Sequence, residues 1–324
     1  MARKSLRGLA AVCAAAATAL TMTIGGTAAA AEELPVPPTF FSGIGPELAY
    51  PGGDLPGVND WDCVPSAEHP HPVILVHGTG GGAQTNWGPM APALKNEGYC
   101  VFALTYGAIP DAPWPVSAVG GMAAMEDSAA QLAMFTDSVL AATGAEKVDL
   151  VGHSQGTLMP NYYVQNLGGH EKVGTYVSLA PLWNGTDAGG ASAITEFMQA
   201  QAADNPALQA YVDLIAEYCG ACFQMSTGAD FIERMRAHPR GLFVDEVRYV
   251  NIVTRYDELI APYTSGLGEG PNVTNVVVQD ECEEDLSEHL SVAASPRAQR
   301  YVLNALDPDD AVPVGCEFVA PIFG

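Results

Sequence analysis

Apolar residues along the chain fall into short runs that alternate with stretches of helical spacing. Val73–His77 is one such run, ending in a glycine-rich loop, and Cys100–Tyr106 is the next. Val148–Gly152, Val173–Leu179, Val247–Thr254 and Asn275–Gln279 follow. Between them, Met122, Met125, Ala129, Leu132, Phe135 and Val139 recur at steps that share one helical face. Thr157–Leu167 and Arg297–Leu306 read as two more helices. Strands that are apolar throughout belong to parallel sheets buried on both sides. The pattern predicts an α/β fold, with a mostly parallel central sheet and helices on both faces.

Two stretches break this rhythm. Residues 32–60 are rich in Pro and Gly and read as an extended lead-in. Residues 183–246 hold the apolar helical stretches Ile194–Ala200, Leu208–Ile215 and Phe231–Met235 without a clear strand. They predict a helical cap inserted over the sheet. Leu208, Tyr211 and Ile215 share one face of a helix. That face either packs on the sheet edge or lines a pocket, together with Phe197, Leu214, Phe231 and Met235.

The N-terminus reads as a targeting segment. Arg3, Lys4 and Arg7 precede an Ala-rich, uncharged run over residues 8–24, and small residues from Thr27 to Ala31 supply a cleavage site. This is the pattern of a secretory signal peptide over residues 1–31, which leaves 32–324 as a single domain. The apolar run is too short for a membrane span, and no second run of that length follows, so no stable membrane anchor is expected. Thirteen Lys and Arg stand against 37 Asp and Glu, a net charge of −24. A chain so acidic repels phosphate polymers, which excludes nucleic-acid binding. Beyond Cys13 there are six cysteines, and an even number in an exported chain reads as disulfides. Position suggests pairing Cys63 with Cys100, Cys219 with Cys222, and Cys282 with Cys316. The run Asp280, Glu281, Glu283, Glu284 and Asp285 reads as a solvated charge cluster rather than a calcium site. No metal or cofactor is expected.

The chemistry centres on Gly152-His153-Ser154-Gln155-Gly156, a G-x-S-x-G motif with a strand before it and a helix after it. That context marks a nucleophile elbow, with Ser154 as nucleophile. A serine hydroxyl needs a base, and in this architecture an acid and then a His follow it along the chain. Only His170, His238 and His289 follow Ser154, and His289 is placed in a loop after the last strand. The acid should end a strand between the two. Asp257 does so, whereas Asp245 precedes its strand and Asp187 and Asp230 fall in the cap. Asp280 is a weaker rival. The oxyanion needs backbone N–H donors, one from Gln155 and one from the loop His77-Gly78-Thr79-Gly80-Gly81-Gly82, where Thr79 is the best placed. His77 would shape that loop.

At these residues the chain resembles the class 2 bacterial lipases. The matching stretches are Val73–Thr79 with Asn86-Trp87, Gly98–Leu104, and Val151–Gly156 with Met159–Tyr163. Thr254–Asp257 with Pro262-Tyr263, and Asp285–His289, continue the match. The resemblance implies a secreted α/β-hydrolase acting on triacylglycerols, and it carries the family's nucleophile, acid and base onto Ser154, Asp257 and His289. The expected function is a serine hydrolase that cleaves carboxylic esters of lipids through an acyl-enzyme. A polyester or phospholipid hydrolase, or an inactive binding module on the same scaffold, are the alternatives.

Overall fold

A computed structural model describes residues 33–190 and 218–322. The strands are β1 (Val73–Val76), β2 (Val101–Leu104), β3 (Val148–His153), β4 (Val173–Leu179), β5 (Arg248–Val253) and β6 (Val273–Val277). They form one sheet in the order β2-β1-β3-β4-β5-β6, and every pair is parallel. β1 explains why its apolar run is unbroken. Val73 and Leu75 join one core cluster, while Ile74 and Val76 join the other. Successive side chains point to opposite faces, and both faces are covered.

Among the described residues the helices are α1 (Ile44–Ala49), α2 (Met90–Asn96), α3 (Met125–Thr143), α4 (Gln155–Asn166), α5 (Gly169–Lys172), α6 (Gly220–Gln224), α7 (Asp230–Arg236) and α8 (Pro296–Leu306). One face of the sheet packs against α3, α4 and α7, through residues such as Leu132, Leu158 and Ile232. The other packs against α2 and α8, through Met90, Leu94, Ala298 and Val302. The helical spacing read from Met122 begins at Met125 instead, because Ala124 is non-helical, with φ −51° and ψ 143°, and stands as the N-cap. α3 ends at Gly144 in the left-handed region.

Three sequence expectations are corrected here. The lead-in is not extended throughout: a 3-10 turn over Phe40–Gly43 runs into α1. β6 begins two residues before the apolar run that was expected to form it, with Thr274 and Asn275 exposed. It is an edge strand, so one side lacks the packing that makes central strands apolar throughout. The acidic run after it is not uniformly solvated. Asp285 is buried, and its carboxylate accepts bonds from the Ser287 N–H (2.9 Å) and the Ser295 hydroxyl (2.7 Å).

Disulfides join Cys63 to Cys100, Cys219 to Cys222 and Cys282 to Cys316, with Cα separations of 5.8, 5.4 and 5.3 Å. The last closes a loop that contains His289. Loops of this kind in small exported domains contribute about 2–5 kcal/mol. Buried Arg297 holds the same region without a carboxylate among its hydrogen-bond partners: it donates to the carbonyls of Val278, Asp280 and Gly315 and to the Tyr301 hydroxyl. The register aligns Val76, Gly152 and Ser178 across the sheet, so the loops after β1 and β3 leave from one edge. In open parallel sheets that edge is where ligands bind.

Candidate active site

Ser154 stands between β3 and α4 with φ 55° and ψ −125°. That conformation is strained for a residue with a side chain, and the packing around it enforces the strain. A Cβ on Gly152 would meet the Gly156 carbonyl at 2.0 Å, and one on Gly156 would meet the Val76 carbonyl at 2.0 Å. Both glycines of the motif are therefore steric requirements of the turn. The Ser154 Oγ lies 2.9 Å from His289 Nε2. On its other side, His289 Nδ1 lies 2.9 Å and 3.0 Å from the two carboxylate oxygens of Asp257. All three side chains are buried or nearly so.

Backbone groups hold the Asp257 carboxylate in place. The N–H groups of Leu259 (3.1 Å) and Ile260 (2.7 Å) both donate to Asp257 Oδ1. Asp280, the rival carboxylate, is more than half exposed and pairs with Arg255 instead. Of the other late histidines, His170 faces Glu171, and the His238 ring accepts the Arg240 N–H. Glu288, beside His289, is buried. Burial raises its pKa, but the N–H groups of Leu290, Ser291 and Ile322 and the Ser291 hydroxyl outweigh that and lower it. Its carboxylate thus ties the C-terminal segment to the loop that carries His289.

The glycine-rich loop comes up against the serine. Gly78 N–H donates to Asn86 Oδ1 (3.2 Å) and Gly80 N–H to the Gly120 carbonyl (2.9 Å), which leaves the Thr79 N–H between two bonded neighbours. The Thr79 hydroxyl donates to Gln155 Oε1 at 2.6 Å. Beneath the loop, burial lowers the His77 pKa to about 4, so its ring is neutral. Its two contacts fix the tautomer: Nδ1–H donates to the Gly78 carbonyl (2.7 Å), and Nε2 accepts the Tyr106 N–H (3.2 Å). The ring stacks on Tyr106 at 4.2 Å. His77 therefore shapes the loop from below.

His153 carries more than the sequence alone suggested. As the variable position of a short motif, it gave no signal of its own. Burial, followed by the proximity of His289, lowers its pKa to about 3. The neutral ring donates Nε2–H to the backbone carbonyl of His289 at 2.8 Å, with the longer 3.2 Å contact from Nδ1 to Asn86 Oδ1. It thereby holds the main chain at His289. These two buried rings carry a pH prediction. Unfolded histidine protonates near pH 6.5, whereas folded His77 and His153 resist protonation until about pH 4 and about pH 3. The unfolded state therefore binds more protons in that window. Stability is full above pH 6.5 and falls on acidification, by up to ~1.4 kcal/mol per pH unit for each ring. His71, raised by its bond to Asp149, works oppositely, since its contribution is lost as pH rises through its folded pKa. It is partly exposed and so weighs less. Melting curves between pH 7 and pH 4.5 should show a steady fall in Tm. A flat profile would mean that neither ring is held neutral.

Residues 70–301 match the lipase (class 2) family. The chain belongs to that family. Among solved structures, lipase B of Aspergillus fumigatus superposes with a TM-score of 0.57 at 17% identity, covering 81% of this chain and 57% of that one. The chain thus spans little more than half the length of the Aspergillus protein. Mature lipase BlEst2 of Bacillus licheniformis gives 0.52 at 17% identity, covering 76% of this chain and 96% of that one. At such identities the likeness establishes the fold, which is that of the α/β-hydrolases.

In this member of the class 2 lipase family a cavity of about 560 Å³ opens beside Ser154 and His289. Its lining is mostly apolar. Among the described residues of the expected cap, Thr186 and Met225 line it. Phe231 and Met235 do not: they are buried in the core, where Phe231 stacks on Tyr162 at 5.8 Å. That part of the segment is structural. Ile194, Phe197, Leu208, Tyr211, Leu214 and Ile215 lie outside the described residues.

Proposed function

We propose that the chain is an exported serine hydrolase that cleaves carboxylic esters of lipids, with residues 1–31 removed as a signal peptide. The observation that carries this reading is the Ser154–His289–Asp257 hydrogen-bonded line at the base of an apolar cavity. Membership of the class 2 lipase family supports it. His289 Nε2 accepts the proton of Ser154 as Oγ attacks the ester carbonyl carbon. The oxyanion forms against the N–H groups of Thr79 and Gln155, the latter at the N-terminus of α4, where the helix dipole favours negative charge. Nε2–H then protonates the departing alcohol, leaving an acyl group on Oγ. Water repeats the sequence and releases the acid. Asp257 stays ionised and stabilises the imidazolium.

Three disulfides fit an oxidising compartment. Among the described residues no helix is long and apolar enough to cross a membrane. The test is fatty-acid release from emulsified triacylglycerol and from p-nitrophenyl esters, with a fluorophosphonate probe reporting on Ser154. Labelling with ester turnover supports the reading. A folded protein that neither reacts with the probe nor turns over esters would be a binding module. Turnover confined to phospholipids or polyesters would change the substrate class but not the chemistry.

A further inference from the structure

One wall of the cavity comes from an unexpected place. Phe40, Phe41, Ile44 and Leu48 line it, and all lie before residue 70, where the family match begins. The segment thus lies outside the stretch matched to the family.

α1 is amphipathic in the reverse of the usual sense. A surface helix ordinarily buries its apolar stripe and exposes its charges. Here Glu47 is 8% exposed, whereas Ile44 and Leu48 are 43% and 62% exposed. Ile44 and Leu48 are four apart, so they share one face. The buried carboxylate is fully engaged: Oε1 accepts the Gly52 N–H (3.0 Å) and the Trp114 indole N–H (3.1 Å), and Oε2 accepts the Gln84 amide (2.7 Å). Gln84 also donates to the Tyr50 carbonyl at 3.0 Å, at the end of α1. Glu47 thereby joins α1 to the loop after Gly82 and to Trp114, another lining residue of the same cavity.

The segment is also seated backbone to backbone. A Cβ on Gly43 would meet the Gln84 carbonyl at 2.0 Å, and one on Gly88 would meet Ser42 Oγ at 2.2 Å. Phe40 packs on the ring of His153, 5.7 Å between centroids, one residue from Ser154. α1 is thus held by its charge, with its apolar residues Ile44 and Leu48 turned to a cavity beside the serine.

We infer that the segment Phe40–Ala49 is the specificity wall for the apolar chain of the substrate, with Glu47 as the clasp that holds it. This rests on the reading of the chain as an ester hydrolase. The chain recognised belongs to either the acyl or the alcohol part of the ester, and two substrate series separate these. One varies the acyl group in p-nitrophenyl esters, and the other varies the alcohol in alkyl acetates.

The readout is the ratio of kcat/KM for a long-chain ester to that for the shortest member of the series. Each methylene that the wall desolvates contributes about fourfold. With Ile44→Ser and Leu48→Ser combined, the ratio should fall about tenfold or more in at least one series. Glu47→Gln should lower it in the same direction by less. Leu48→Trp, at an exposed position where folding is little disturbed, should narrow the mouth and move the optimum to shorter chains. A ratio within about twofold of wild type in every folded variant, in both series, overturns the inference while leaving ester hydrolysis standing. Wild-type protein that is folded but hydrolyses no ester overturns both.

Discussion

Ser154→Ala should reduce ester turnover about 10⁴- to 10⁶-fold while leaving the fold intact. The hydroxyl is the only atom lost, and its hydrogen-bond partner is the Nε2 of His289. His289 lines the cavity, so water can donate to that nitrogen in place of the serine hydroxyl and no acceptor is stranded. The strained backbone at Ser154 is set by Gly152 and Gly156, and alanine inherits it unchanged. Thermal melting should therefore match the wild type. Residual turnover of ~10³-fold over the uncatalysed reaction would come from the oxyanion donors and from binding. The check is steady-state kinetics on a soluble ester, with fluorophosphonate labelling in parallel. Turnover at the wild-type rate would remove Ser154 from the mechanism.

The sheet and the line of Ser154, His289 and Asp257 were legible because each has a strong local signature. A buried parallel strand is apolar throughout, and the elbow is a pentapeptide whose glycines answer direct steric demands. Chain order then left few candidates for base and acid. What the sequence concealed was of a different physical kind. α1 leaves its apolar residues partly exposed at a cavity and buries its charge, so its pattern has the opposite sign from an ordinary helix. Its surroundings of Pro and Gly masked it further. Asp285 looked like one charge in a solvated run, but two short bonds from Ser287 and Ser295 hold it inside. Such burial depends on residues brought together only by the fold. His153 is similar: its partner is the main chain of a residue far along the sequence. Phe231 and Met235 had a helical apolar pattern that fits either a core or a pocket, and periodicity cannot separate the two.

Asp257→Asn should cost about 10⁴-fold in kcat, for a reason specific to the geometry. Oδ1 of Asp257 accepts two backbone N–H groups, from Leu259 and Ile260. An asparagine must keep its oxygen at that position, because its amide NH₂ has no hydrogen bond to offer a donor. The NH₂ then takes the place of Oδ2, 3.0 Å from His289 Nδ1. It would donate to Nδ1 and drive the ring proton to Nε2. Nε2–H would point at Ser154 Oγ and could no longer accept its proton. The variant should fold and bind ester normally, and its rate should recover in part at high pH, where the serine is more readily deprotonated. Asp280→Asn, on an exposed carboxylate paired with Arg255, should stay within about twofold of wild type. His289→Ala should lose about as much as Ser154→Ala, and the double variant scarcely more, because the groups act as one unit. If the losses at Ser154 and His289 instead multiplied, the two would be contributing independently, and the hydrogen bond between them would not be the route of the proton.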